Sequence, residues 1–218
     1  MTKYMVSPSI LSGDFANMGD SVKNACDWGA DLIHVDVMDG VYVPNITFGM
    51  PMVKSIKPYS QVPLDVHLMI TEPEKYVGSF VDCGADIVTF HPDASKDVQK
   101  GLDTIKSKGA KCGLVLNPDK PLELVYPYIN DIDMVLLMSV FPGFGGQKFI
   151  AEVLDKAKEL KEYITKHNIN IDIEIDGGVS SQNAEIIRNS GVNILVAGSA
   201  VYKSENPSKE IALIKGLK

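Results

Sequence analysis

Side chains able to bind a metal or move a proton recur in three short alternating segments. They are His34 and Asp36 in HVDVMDG, Asp65 and His67 in PLDVHLM, and Asp176 in DIEIDGG. Side chains of an extended chain alternate between faces, so His34, Asp36 and Met38 point one way while Val35 and Val37 point the other. Asp65, His67 and Met69 repeat the pattern. If the segments converge, His34, Asp36, His67 and Asp176 offer two imidazole nitrogens and two carboxylate oxygens to one divalent ion. Zinc, iron(II), manganese and cobalt all suit that donor set. Each residue alone has a plainer reading, because a lone strand histidine is more often a hydrogen-bonded structural group and a strand-end acid often caps a helix. Finding all four at strand ends, in a chain with only four histidines, favours the metal. Met38, Met69 and Met138 are ordinarily core filler, but around an ion they would form a dry, polarizable wall. His91 carries no assigned role, since FHPDAS also reads as a loop anchored on its proline. His167 lies past a helix and is expected to be exposed.

Positioning these groups requires strands, and eight are expected, at 4–11, 31–38, 62–69, 86–91, 111–116, 133–140, 171–177 and 194–199. Helix-period segments separate them, as in EVLDKAKELKEYITK, where Val153, Leu154, Ala157, Leu160 and Ile164 form one stripe. WGADLIHVDV, CGADIVTFH, KGAKCGLVL and SGVNILVAG share a glycine, a small or polar spacer and a β-branched run, the mark of a helix end feeding a buried strand. Their glycines, Gly29, Gly84, Gly109 and Gly191, lie 55, 25 and 82 residues apart. That is close to two, one and three copies of a unit of roughly 27 residues. Alternating strands and helices at this repeat imply a (β/α)₈ TIM barrel formed as one catalytic domain over residues 1–218. An open doubly wound sheet for a dinucleotide would want Gly-x-Gly-x-x-Gly after the first strand, and none is there.

In such a barrel chemistry sits at the C-terminal strand ends. Glycines gather at three of them, in PGFGGQ (142–147), DGGV (176–179) and AGSAV (197–201). Backbone N–H groups exposed by glycines can cradle phosphate without a cationic side chain. The one arginine, Arg188, falls in the last turn of an expected helix and is better placed to complement its dipole. A net charge of −7 argues against nucleic acid or an anionic membrane as partner and towards a small molecule. Three scattered cysteines without a C-x-x-C pair, no signal-like start and no apolar run near 18 residues fit a soluble cytoplasmic protein.

SPSIL, HVDVMDGVYVPN, DVHLM, MSVFPGFGGQKF, EIDGGV and VAGSAV together resemble the ribulose-phosphate 3-epimerase family, from the first strand to the last. The resemblance implies a metal-dependent barrel that interconverts D-ribulose 5-phosphate and D-xylulose 5-phosphate. It also implies that His34, Asp36, His67 and Asp176 are ligands to one divalent ion per subunit and that Asp36 and Asp176 are the acid/base pair. Substrate contacts would fall on Ser7, His67, Met38, Met69 and Met138. The phosphate side would use Gly143, Phe144, Gly145, Gly146, Gly177, Gly178, Gly198 and Ser199. Family members are often homo-oligomers, so assembly is expected as well. Inverting carbon 3 of a 2-ketose removes a proton from one face and returns one to the other, which demands two such groups. Phe141 stands where the family usually has a polar residue, and HPDAS also resembles allulose-6-phosphate 3-epimerases, which would use the same chemistry on a longer sugar. Decarboxylases and hexulose-phosphate synthases of similar outline need Asp-x-Lys where this chain has Asp65-Val66-His67. A Schiff-base aldolase needs a lysine at a strand's catalytic end, and Lys111 lies at the other end. A silent sugar-phosphate binder would not need both Asp36 and Asp176.

Overall fold

Short runs of Val, Ile, Leu and Met buried on both faces give eight strands in a computed structural model that describes residues 4–217. They are β1 (Met5–Pro8), β2 (Ile33–Met38), β3 (Leu64–Met69), β4 (Ile87–Phe90), β5 (Lys111–Leu116), β6 (Met134–Met138), β7 (Asp172–Asp176) and β8 (Ile194–Ala197). All adjacent pairs are parallel, in the order β1-β8-β7-β6-β5-β4-β3-β2. Closure between β1 and β2 comes from a parallel bridge between Ser9 and His34 and from the Asp31 N–H bonded to the Val6 carbonyl at 3.0 Å. The sheet is therefore a nearly closed (β/α)₈ barrel, and every strand falls inside its expected range.

The outward residues, such as Val35, Val37, Val66, Leu68, Ile173 and Ile175, pack beneath α1 (Met18–Asp27), α2 (Met50–Ile56), α3 (Val77–Asp82), α4 (Val98–Ser107), α5 (Val153–Lys166), α6 (Ala184–Asn189), α7 (Ser199–Tyr202) and α8 (Pro207–Lys215). The α5 stripe of Val153, Leu154, Ala157, Leu160 and Ile164 is buried as its period requires. Helices do not alternate throughout, however. Between β5 and β6 the chain makes only 3₁₀ turns at Leu122–Leu124 and Tyr126–Tyr128. Pro121 and Pro127 remove N–H donors there and break the α ladder. The first expected strand also stops early, because Ser9 caps a 3₁₀ turn at Ile10–Ser12 through its Oγ.

Inside the barrel the strands stack in layers. Leu32, Ile87, Met134 and Ile194, with Met5, plug the N-terminal end. Register then sets His34 beside Asp65, Leu136 beside Glu174, and one step higher Asp36 beside His67 and Met138 beside Asp176. The polar layers thus sit on an apolar floor and face the C-terminal mouth.

Candidate active site

The barrel brings His34, Asp36, His67 and Asp176 together, with one donor atom from each lying within 4.8 Å of all the others. Asp36 Oδ1 is 3.3 Å from His34 Nε2 and 3.3 Å from His67 Nδ1. Those separations are long for charge-assisted hydrogen bonds, which run to about 2.7–2.9 Å. His34 Nε2 is buried and has no hydrogen-bond partner among the described residues. An unpaired nitrogen aimed at two carboxylates, with a second imidazole beside it, is what a divalent ion needs, so the residues fit a metal.

The surrounding groups orient this set. Ser9 Oγ donates to Asp36 Oδ2 at 2.7 Å and fixes that carboxylate. His34 Nδ1 donates to Asp65 Oδ2 at 2.6 Å, which leaves Nε2 as the nitrogen that an ion would take. Behind Asp65 lies Glu174, whose two oxygens find no hydrogen-bond partner among the described residues, with Oε1 3.9 Å from His34 Nδ1. Burial, reinforced by the Asp65 charge, pushes the Glu174 carboxyl well above the usual range. As a neutral acid it has the proton that the unpaired Asp65 Oδ1 lacks.

Burial acts on each titrating group and its neighbours decide the sign. The two carboxylates Asp36 and Asp176 diverge. Burial raises Asp36, but the charge and hydrogen bond of His34, and then His67, outweigh it and hold Asp36 well below the usual carboxylate range. Burial raises Asp176 to about 7, helped by the charge of Asp36. Burial lowers His34, yet Asp65 and Asp36 overcome it and leave the imidazole well above its ordinary value. For His67 burial prevails and the ring titrates low.

Asp36 and Asp176 open into a cavity at the barrel mouth that Met38, Met69 and Met138 also line. Gly143, Phe144, Gly145 and Gly146 line it, as do Gly177, Gly178, Gly198 and Ser199. Gly177 has φ +123° and an added Cβ would lie 2.6 Å from Val140 Cγ2; Gly178 has φ +65° and its Cβ would lie 2.6 Å from the Phe149 nitrogen. No other residue lets these loops close over the site. Gly178→Ala is expected to cost about 1–3 kcal/mol of stability, read by denaturant unfolding. Asn45 Nδ2 donates to the Gly143 carbonyl at 2.9 Å, and Gln147 Nε2 donates to the Phe141 and Phe144 carbonyls, so the β2 and β6 loops brace one another. Arg188 stays away from the cavity, in the last turn of α6 as expected, and also donates to the Ile214 carbonyl at the end of α8.

Two of the expected substrate contacts lie deeper than the residues that line the cavity. Ser7 is fully buried one layer down, 3.5 Å from Asp65 Oδ2, and it is Ser9 that reaches the cavity. Strand parity puts both serines on the inner face, and Ser9 is the one nearer the C-terminal mouth. His67 is likewise fully buried behind Asp36 and presents no surface to the cavity. His91, unassigned from sequence, is buried with its Nε2 2.9 Å from that of His67. His167 is exposed, as expected, with its ring centroid 4.4 Å from that of Tyr163.

A family model described as the ribulose-phosphate 3 epimerase family matches residues 5–202. The chain is 48% identical to the ribulose-phosphate 3-epimerase of Bacillus subtilis, over 98% of this chain and 99% of the relative. It is 44% identical to the enzyme of that name from Escherichia coli K12, over 97% and 94%. The chloroplastic ribulose-5-phosphate-3-epimerase of Arabidopsis thaliana is 46% identical over 98% of this chain and 77% of the relative. Among solved structures, 3-keto-L-gulonate-6-phosphate decarboxylase from Vibrio cholerae superposes with a TM-score of 0.75 at 13% identity, over 99% of this chain and 97% of that one, which speaks to the fold alone.

Proposed function

The chain belongs to the ribulose-phosphate 3-epimerase family, and from that premise we propose that this isomerase interconverts D-ribulose 5-phosphate and D-xylulose 5-phosphate by two-carboxylate proton transfer at carbon 3. The observation that carries the reading is the convergence of His34, Asp36, His67 and Asp176 on one point beneath a glycine-lined cavity. Asp36 comes from β2 and Asp176 from β7, strands that are not neighbours in the barrel, so the two carboxylates approach that point from different sides. Asp36, held ionised, is ready to accept the carbon 3 proton from one face. Asp176, titrating at about 7, is ready to deliver one to the other face, and the roles exchange for the reverse reaction. His34, Asp36, His67 and Asp176 would hold one divalent ion, which supplies a Lewis acid against the negative charge of the enediolate. Met38, Met69 and Met138 keep water from the reacting carbon. Backbone N–H groups of residues 143–146, Gly177, Gly178, Gly198 and Ser199 hold the phosphate, a task for which no arginine is at hand.

In this reading residues 1–218 act as one catalytic domain, and assembly into homo-oligomers and a cytoplasmic location belong to it too. None of the helices described is long and apolar enough to cross a membrane.

Ion uptake should release protons, because His34 and Asp176 both titrate high in the ion-free protein and both must give up a proton to become ligands. Affinity for the ion is expected to fall as the pH drops below about 7, and calorimetric zinc titrations in buffers of different ionisation enthalpy read the proton count. The reaction itself is tested by proton NMR in D₂O with added zinc or iron(II). D-Xylulose 5-phosphate carrying deuterium at carbon 3 is expected from D-ribulose 5-phosphate. No exchange in either epimer would overturn the two-carboxylate scheme.

A further inference from the structure

We propose that His91 is a positioning residue that accepts the Nε2 proton of His67 and so presents His67 Nδ1 to the ion, an inference that rests on the ligand assignment above. A neutral imidazole carries one proton on two nitrogens, so whatever bonds one nitrogen decides what the other can do. His67 Nδ1 faces Asp36 Oδ1 at 3.3 Å, on the side where the donor atoms gather. Its Nε2 points away and lies 2.9 Å from Nε2 of His91. Two nitrogens at that distance share a single proton, one as N–H and one as lone pair. For Nδ1 to be a ligand, the proton must sit on Nε2 of His67, and His91 must accept it.

His91 is well held for that task. It follows β4 directly, is fully buried, and its carbonyl accepts from the Ala94 N–H at 3.1 Å. Its ring is wedged between His67 and Tyr42, with centroid distances of 5.1 and 4.8 Å. Tyr42 is fixed in turn, its hydroxyl donating to Asp93 Oδ1 at 3.1 Å and accepting from Asn117 Nδ2 at 2.9 Å.

The two ligand histidines therefore have unlike supports. His34 is backed by a carboxylate, Asp65, which only accepts and fixes one tautomer. His67 is backed by an imidazole, which can accept or donate. The far nitrogen of His91, Nδ1, is buried without a partner among the described residues, so nothing pins the tautomer of His91 and it follows His67. When an ion takes Nδ1 of His67, the proton between the rings belongs to His67 and the His91 proton moves to its own Nδ1.

The test is a ¹⁵N long-range correlation spectrum of the full chain labelled at histidine, with and without zinc. The zinc-loaded spectrum is expected to show His67 protonated at Nε2 and His91 protonated at Nδ1; a zinc-loaded His67 without a proton on Nε2 overturns the proposal. In zinc titrations His91→Gln, which keeps an acceptor, should stay within about threefold of the parent, while His91→Leu should weaken zinc binding by about 10–100-fold. Equal zinc affinity in a folded His91→Leu also overturns it. If that variant does not fold, the parent spectrum decides alone. A parent protein that binds no zinc would overturn the ligand assignment itself, whereas unchanged binding in both variants would overturn only the role of His91.

Discussion

Asp176→Asn is expected to lower the epimerisation rate by about 10³-fold or more while leaving the barrel intact. A positioned acid or base is worth about 10²–10⁴-fold, and in the proposed assignment the same carboxylate would also hold the ion, so both contributions would fall together. Asparagine keeps the shape of the side chain and its carbonyl oxygen but can neither carry nor accept the proton that carbon 3 exchanges. The fold should not suffer, and the sign follows from titration. Burial and the Asp36 charge raise Asp176 to about 7 in the folded ion-free protein, against about 3.9 unfolded. A raised carboxyl favours folding at pH below its unfolded value and loses that advantage as the pH rises through its folded value. At pH 8, with chelator present, the ionised carboxylate is therefore a burden that asparagine removes. Thermal denaturation should show ion-free Asp176→Asn melting no lower than the parent at pH 8, with any gain gone by about pH 4. An active variant would overturn the role of Asp176. An inactive one that melts far lower at pH 8 would make Asp176 a structural residue instead.

Strand periodicity decides which parts of this protein are legible in its sequence. Period-two alternation made β2, β3 and β7 plain, and parity put His34, Asp36, His67 and Asp176 on inner faces before any contact was known. Depth along the inner face was harder. Ser7 and Ser9 share parity, and only the register with β8 and the bridge to His34 shows that Ser9, not Ser7, reaches the level of Asp36. Asp65 and Glu174 share parity with His67 and Asp176, one step lower. Nothing in their local sequence says that one supports His34 while the other is neutral. His91 was hidden because its partner lies 24 residues away on another strand and Pro92 offered a turn as sufficient cause. Between β5 and β6 the expected alternation of strand and helix fails because Pro127 falls inside the crossover and removes a donor from any α ladder there.

Asp36→Asn is expected to match the loss of turnover but reverse the effect on stability. His34, His67 and the Ser9 hydroxyl all converge on this carboxylate, and the two imidazoles, acting against burial, hold it well below the usual range. A depressed carboxyl stabilises the fold at pH above its unfolded value, and that stability is lost as the pH falls towards the folded value. At neutral pH the ion-free Asp36→Asn protein should melt lower than the parent, and the gap should narrow in acid. Chemistry should separate the two variants more sharply still. If each carboxylate serves one face of carbon 3, Asp36→Asn retains a base for one epimer and Asp176→Asn retains a base for the other. In D₂O with the ion supplied, each variant should then wash deuterium into a different one of D-ribulose 5-phosphate and D-xylulose 5-phosphate, without converting it to its partner. Proton NMR reads both isotopes and products in one tube. Should both variants label the same epimer, a single base must serve both faces, and one of the two carboxylates would be left with the ion alone.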